Sequence, residues 1–180
     1  MTCRVQTGVL TLLSAVLLQA ATLQKLGLDD MTQKSTAIVR AVVTGSYAAA
    51  QGPIIYTHYQ LQVSDRWKGA GPVSLDVVVP GGTTAGRRQS FSGAPKLVTG
   101  TEYVLFLWTG PSGMTHIMGL SQGVFDLKSR DDGDMVASHA ASGELMLDSA
   151  GRQIQDRPMV LRLGELRQRV SHAVAAGGPK

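Results

Sequence analysis

Beyond its first 21 residues the chain has no cysteine; the only one is Cys3. A mature protein starting near Thr22 would therefore have no disulfide and no thiolate to hold a metal. Its fold must rest on an apolar core, and roughly 160 residues are enough for one such core. Aromatic residues make up only 5% of the sequence. Tyr59, Trp67, Tyr103, Phe106, Trp108 and Phe125 fall on expected core faces, leaving Tyr56 and Phe91 for exposure. A base-stacking platform needs two or three rings on one open sheet face, so this distribution argues against one. Histidine is sparse too: residues 58, 116, 139 and 172 include no pair at the i, i+2 or i, i+4 spacing that puts two imidazoles on one metal.

Long apolar runs are also missing. The longest, Val9 to Leu18, is too short for a bilayer, which requires about 20 residues. With Arg4 before it and Gln19-Ala20-Ala21 after it, it reads as a signal peptide over residues 1–21. The expectation is an exported protein, periplasmic or secreted, with no membrane segment once the signal is cleaved. Cys3 precedes the apolar run, so it is not placed as a lipid-attachment cysteine.

Charge gives little direction. There are 17 Lys+Arg against 13 Asp+Glu, a net +4 that becomes +3 without Arg4, and the basic residues are scattered. Such a balance does not mark a nucleic-acid-binding protein.

The remaining pattern is mainly β. A short helix is expected from Leu28 to Lys34, with Asp29 and Asp30 at its start, in a segment covering residues 22–35. Residues 36–138 carry the strands. Thr36 to Tyr47 is apolar on both faces, which predicts a buried strand. In the next strand Ile55, Tyr59, Leu61, Val63 and Trp67 alternate with His58, Gln60, Gln62, Ser64, Arg66 and Lys68, giving one dry and one wet face. The turn Lys68-Gly69-Ala70-Gly71-Pro72 leads into Val73 to Val79, which completes a meander. Pro80 to Gly100 is glycine-rich loop chemistry, and loops of that length in a compact domain are usually functional or disordered. Tyr103 to Trp108 is expected as the central core strand, followed by strands at 115–118 and 124–128, a hairpin tip at Asp131-Asp132-Gly133-Asp134 and an edge strand at Met135 to Ser138. Residues 139–180 read as an aperiodic connection to about Pro158, then a helix marked by Leu163, Leu166, Val170 and Val174 that packs on the barrel.

The order "STAIVRAVVTGSY", "THYQLQVSDRWKG", "SLDVVVPGG", "VTGTEYVLFL" and "GLSQGVFDL" resembles exported bacterial proteins related in fold to netrin-like and tissue-metalloproteinase-inhibitor domains. The resemblance covers residues 28–128 and implies a five-to-six-stranded OB-like barrel with a short N-terminal and a C-terminal helix. Those inhibitors chelate a protease zinc through an N-terminal cysteine. This chain has none at that place, so their inhibitory mechanism does not carry over.

No catalytic, cofactor or metal site is expected. Gly119-Leu120-Ser121-Gln122-Gly123 matches the nucleophile-elbow pattern, but a helix should follow it and a β segment does. The acidic tip at 131–134 lacks the spacing of a calcium loop. The favoured function is a non-catalytic binding module for a protein or cell-envelope partner. The residues expected to carry it are Arg87, Arg88 and Phe91 in the Pro80 to Gly100 loop, with Tyr56 and His58 on the second strand. The alternatives are a serine hydrolase using Ser121 and an oligonucleotide-binding OB domain.

Overall fold

The computed structural model describes residues 22–178, and the expected signal peptide at 1–21 lies outside them. Among the described residues no helix is long and apolar enough to cross a membrane. The described residues are mainly β with two α-helices. In order they form β1 (Thr22–Gln24), α1 (Leu28–Lys34), β2 (Ala37–Gln51), β3 (Ile54–Lys68), β4 (Ser74–Pro80), β5 (Gly82–Thr84) and β6 (Arg87–Gln89). These are followed by β7 (Glu102–Thr109), β8 (Thr115–Ile117), β9 (Val124–Ser129), β10 (Met135–His139), β11 (Leu145–Leu147), β12 (Gln153–Ile154), β13 (Met159–Arg162) and α2 (Leu163–Ala176).

The expected strand number is corrected. Eight strands, rather than five or six, join one large sheet in the order β13-β10-β9-β7-β2-β3-β4-β8, and β7 also pairs with β8. β9, β10 and β13 extend the sheet beyond β7; β9 is the expected strand at 124–128, β10 the expected edge strand, and β13 is the addition. β10 is not an edge strand, because β13 pairs along its other side.

β2 and β7 are apolar on both faces because each separates two cores. On one face Val39, Ala41, Val43, Leu105 and Leu107 pack with Tyr59, Leu61, Val77 and Val79. On the other Ile38, Val104 and Phe106 meet Phe125 and the helical residues Met31, Leu166 and Val170. α1 therefore lies on the outside of the sheet beside α2. Leu166 and Val170 are fully buried, and burying a side chain of that size contributes about 1.5–3 kcal/mol. The Gln33 amide donates to the Ala173 carbonyl and links the two helices. Lys68 closes α1 from the sheet: its ammonium donates to the Thr32 and Gln33 carbonyls at 2.6 and 2.9 Å, where a helix end favours a cation.

One face assignment fails at a bulge. Arg40 lies opposite Asp65 while Ala41 lies opposite Val63, so Ser64 is an extra residue in β3. An extra residue exchanges the faces beyond it. Trp67 accordingly leaves the face of Tyr59 and Leu61 and packs against the α2 cluster, with its indole N–H donating to Asp65 at 2.9 Å.

The stretch from His139 to Pro158 is more ordered than its sequence suggests. β11 pairs in parallel with β1 and antiparallel with β12, making a separate three-stranded sheet. Asp156 fastens it. This carboxylate, with only 4% of its side chain exposed, accepts from Lys25 Nζ at 2.8 Å and from the Ser142 N–H at 2.8 Å. His139 Nε2 lies 3.5 Å from it. Burial alone would raise its pKa; the bonds from Lys25 and Ser142 and the nearby positive charge outweigh that and hold it below the usual range.

Candidate functional site

The Pro80 to Gly100 segment contains no helix but is not a featureless loop. β5 and β6 form a small hairpin whose two turn residues, Ala85 and Gly86, both have positive φ (48° and 72°). That is the backbone of a two-residue primed turn, which suits the twist of a hairpin. Gln89 clamps the hairpin to β3: its side-chain oxygen accepts from the Ile55 N–H at 2.6 Å and its amide donates to the Pro53 carbonyl at 2.8 Å. The Gly81 N–H donates to the Ile55 carbonyl at 2.7 Å, and Thr57 Oγ1 donates to the Gly81 carbonyl at 2.8 Å. Farther along, Leu97 inserts into the core and the Val98 N–H donates to the Tyr103 hydroxyl at 3.0 Å.

Pinned at both ends, the segment walls a cleft of about 430 Å³ against Thr57, Tyr59 and Val79 of β3 and β4. Its apolar surface comes from Phe91, Ala94, Pro95 and Leu97, and its charge from Arg88 and Lys96. No acidic residue lines it. Among the described residues no carboxylate lies within ion-pair distance of Arg87, Arg88 or Lys96. Glu144 is nearby, held by the Ser92 hydroxyl at 2.9 Å, but lies outside the lining.

The five expected partner-binding residues are divided between two places. Arg88 and Phe91 line the cleft, and Arg87 is exposed on β6 outside that lining. Tyr56 and His58 belong to the opposite face of β3. There, His58 stacks on Tyr47 with ring centroids 4.6 Å apart, and Asp76 accepts from both, at 2.8 Å from His58 Nδ1 and 3.1 Å from the Tyr47 hydroxyl. Burial together with the hydrogen bond to Asp76 raises the Tyr47 pKa. Tyr56 meets His116 edge-on, and Trp108 lies 6.0 Å from His116, whose pKa burial lowers.

The pairings Tyr47–His58, His58–Val78, Val78–His116 and His116–Trp108 run in register across five strands. A face expected to be polar thus carries a stripe of rings, and Trp108, placed in the core from sequence, is 41% exposed. Tyr47, Lys96 and Trp108 are the residues missed. Lys96 follows Ala94-Pro95 in the segment already singled out, and Trp108 sits in the last turn-facing part of β7, beyond the second core.

Ser121 gains nothing from the fold. Gly119 and Leu120 both take left-handed backbone (φ 61° and 58°), and Ser121 follows in a single 3-10 turn, Leu120–Gly123. Its hydroxyl is buried and without a hydrogen-bond partner, so no imidazole holds it. The neighbouring Gln122 is structural: its side-chain oxygen accepts from the Leu26 N–H at 2.9 Å and its amide donates to the Gln24 carbonyl at 3.0 Å. Among the described residues no cluster of three or more His, Cys, Asp or Glu could hold a metal ion. No protein-family model and no curated protein matches the chain.

Proposed function

We propose that this is an exported, non-catalytic β module that binds a protein or cell-envelope partner through the cleft of the Pro80 to Gly100 segment and the outer face of β3. The observation that carries the reading is the cleft: a glycine-rich segment is fastened to β3 by Gln89 and Thr57 and presents Phe91, Arg88 and Lys96 around about 430 Å³. That volume falls within the roughly 300–1,000 Å³ of ligand pockets. Export is supported by Arg4, the apolar run Val9 to Leu18 and the small residues Ala20 and Ala21 after it.

An OB-like topology is supported by the order of pairing. β2, β3 and β4 form the meander, β4 runs parallel to β8, and β7 pairs with both β8 and β2. The test is affinity capture with the immobilised protein and its Arg87→Ala/Arg88→Ala/Phe91→Ala variant. A partner retained by the wild type and lost by the variant is expected; an identical retained set refutes the reading.

A single-stranded oligonucleotide is the second reading, favoured by the exposed rings of Tyr47 and Trp108 on one face. Asp76 at the centre of that face opposes it. Quenching of Trp fluorescence by a thymidine oligonucleotide at low salt, abolished by Trp108→Ala, would favour it over the cleft.

A further inference from the structure

We propose that the cleft and the open edge of β6 take an extended, acidic peptide segment of a partner protein. Its carboxylates would face Arg88 and Lys96 in the cleft, with Arg87 adding positive charge from the other face of β6, and an apolar side chain would lie beside Phe91. This rests on the binding-module reading and adds to it the chemistry of the partner.

Charge complementarity is the first argument. The cleft holds two cations and no acid, and Arg87 adds a third cation on the adjoining strand. An unpaired cation beside a cleft attracts an anion and repels a basic segment, so the three together select by sign as well as by attraction. Backbone pairing is the second. β5 and β6 form a sheet of two strands, so β6 pairs with no other described strand. An open edge accepts an added strand through its own N–H and C=O groups. Arginines on an edge discourage pairing with copies of the same chain, yet they leave it open to a strand of opposite charge. Gln89 holds β6 in place from the β3 side, so the edge is ordered before any ligand arrives. The third argument is the apolar part of the cleft. Phe91 is 41% exposed beside the buried Leu97, which gives an apolar side chain a place to dock. Three cations are few for a nucleic-acid backbone, whose binding grows with the number of phosphates neutralised.

The experiment is fluorescence anisotropy with the chain from Thr22 and three fluorescein-labelled peptides, in which leucine alternates with glutamate, glutamine or lysine. The glutamate peptide should bind and the lysine peptide should not. Arg88→Glu/Lys96→Glu, both exposed positions with circular dichroism as the folding control, should weaken the glutamate peptide about tenfold or more. Equal binding of all three peptides, or no effect of the charge reversal, overturns the acidic-peptide proposal. If the glutamine peptide binds as well as the glutamate peptide and Phe91→Ala abolishes both, the cleft still binds and only the charge selection is wrong. If no peptide binds, the proposal is overturned, and capture with the triple alanine variant then decides the fate of the module reading independently.

Discussion

Replacing Asp156 by Ala should be among the most costly single changes outside the two cores. Three of its contacts cross between segments distant in sequence: Lys25 Nζ at 2.8 Å, the Ser142 N–H at 2.8 Å and His139 Nε2 at 3.5 Å. Losing the acceptor for a part-buried N–H costs about 1–3 kcal/mol. Lys25 keeps about a third of its side-chain surface in water and can rehydrate, so its share is nearer 1 kcal/mol. The expected loss is about 2–4 kcal/mol, a large part of a typical stability of roughly 5–15 kcal/mol. In urea, with a slope near 2 kcal/mol/M, the midpoint should fall by about 1–2 M at pH 7.

Asp156→Asn keeps an oxygen acceptor and should lose about half as much. The sign with pH follows from the lowered pKa. Stability from a depressed carboxylate is present above its unfolded value, about 3.9 for aspartate, and is lost as pH falls through the folded value. The gap between wild type and Asp156→Ala should therefore be constant from pH 5 to 7 and shrink below about pH 3.9. A midpoint shift under about 0.3 M, or a gap that persists unchanged at pH 2, would show that the carboxylate does not fasten the β1–β11–β12 sheet.

Two other substitutions test local arguments. Ser121→Ala removes a buried hydroxyl that has no partner, so thermal melting should be unchanged or raised by an amount equivalent to about 1 kcal/mol; a clear loss would mean that the hydroxyl is satisfied after all. Gly69→Ala should destabilise by about 2 kcal/mol or more in urea, because φ there is +76° and an added Cβ would collide with the Thr36 carbonyl.

Much of the fold could be read locally. α1 and α2 declare themselves through acidic first-turn residues and the 3.6-residue spacing of Leu166, Val170 and their neighbours, and both form where expected. Strands β2 and β7 are apolar on both faces because both faces are covered. The strands at 145–147 and 153–154 could not be read, since elements of two or three residues have no period to detect and β11 finds its partner, β1, more than a hundred residues away. Trp67 was misplaced because a bulge leaves no mark in an alternation count. In the candidate site, Arg88 and Phe91 were legible as exposed loop residues. The hairpin beneath them had a signal in Thr83-Thr84 before Ala85-Gly86, whereas the gathering of Lys96, Tyr59 and Thr57 around one cleft depends on the tertiary fold.

The contact between α1 and α2 sets an order of events for a chain made from its N-terminus. Met31 belongs to the first helix and Leu166 and Val170 to the last, yet they share one apolar cluster. Until residue 176 has been synthesised, the apolar side of α1 and the outer faces of β2 and β7 are only partly covered, by one another and by Phe125. Long-range closure of this kind slows folding and prolongs exposure of apolar surface. The meander can assemble early, but its outer side stays adhesive until the final helix arrives, so the last residues made are the ones that turn a sticky intermediate into a closed domain.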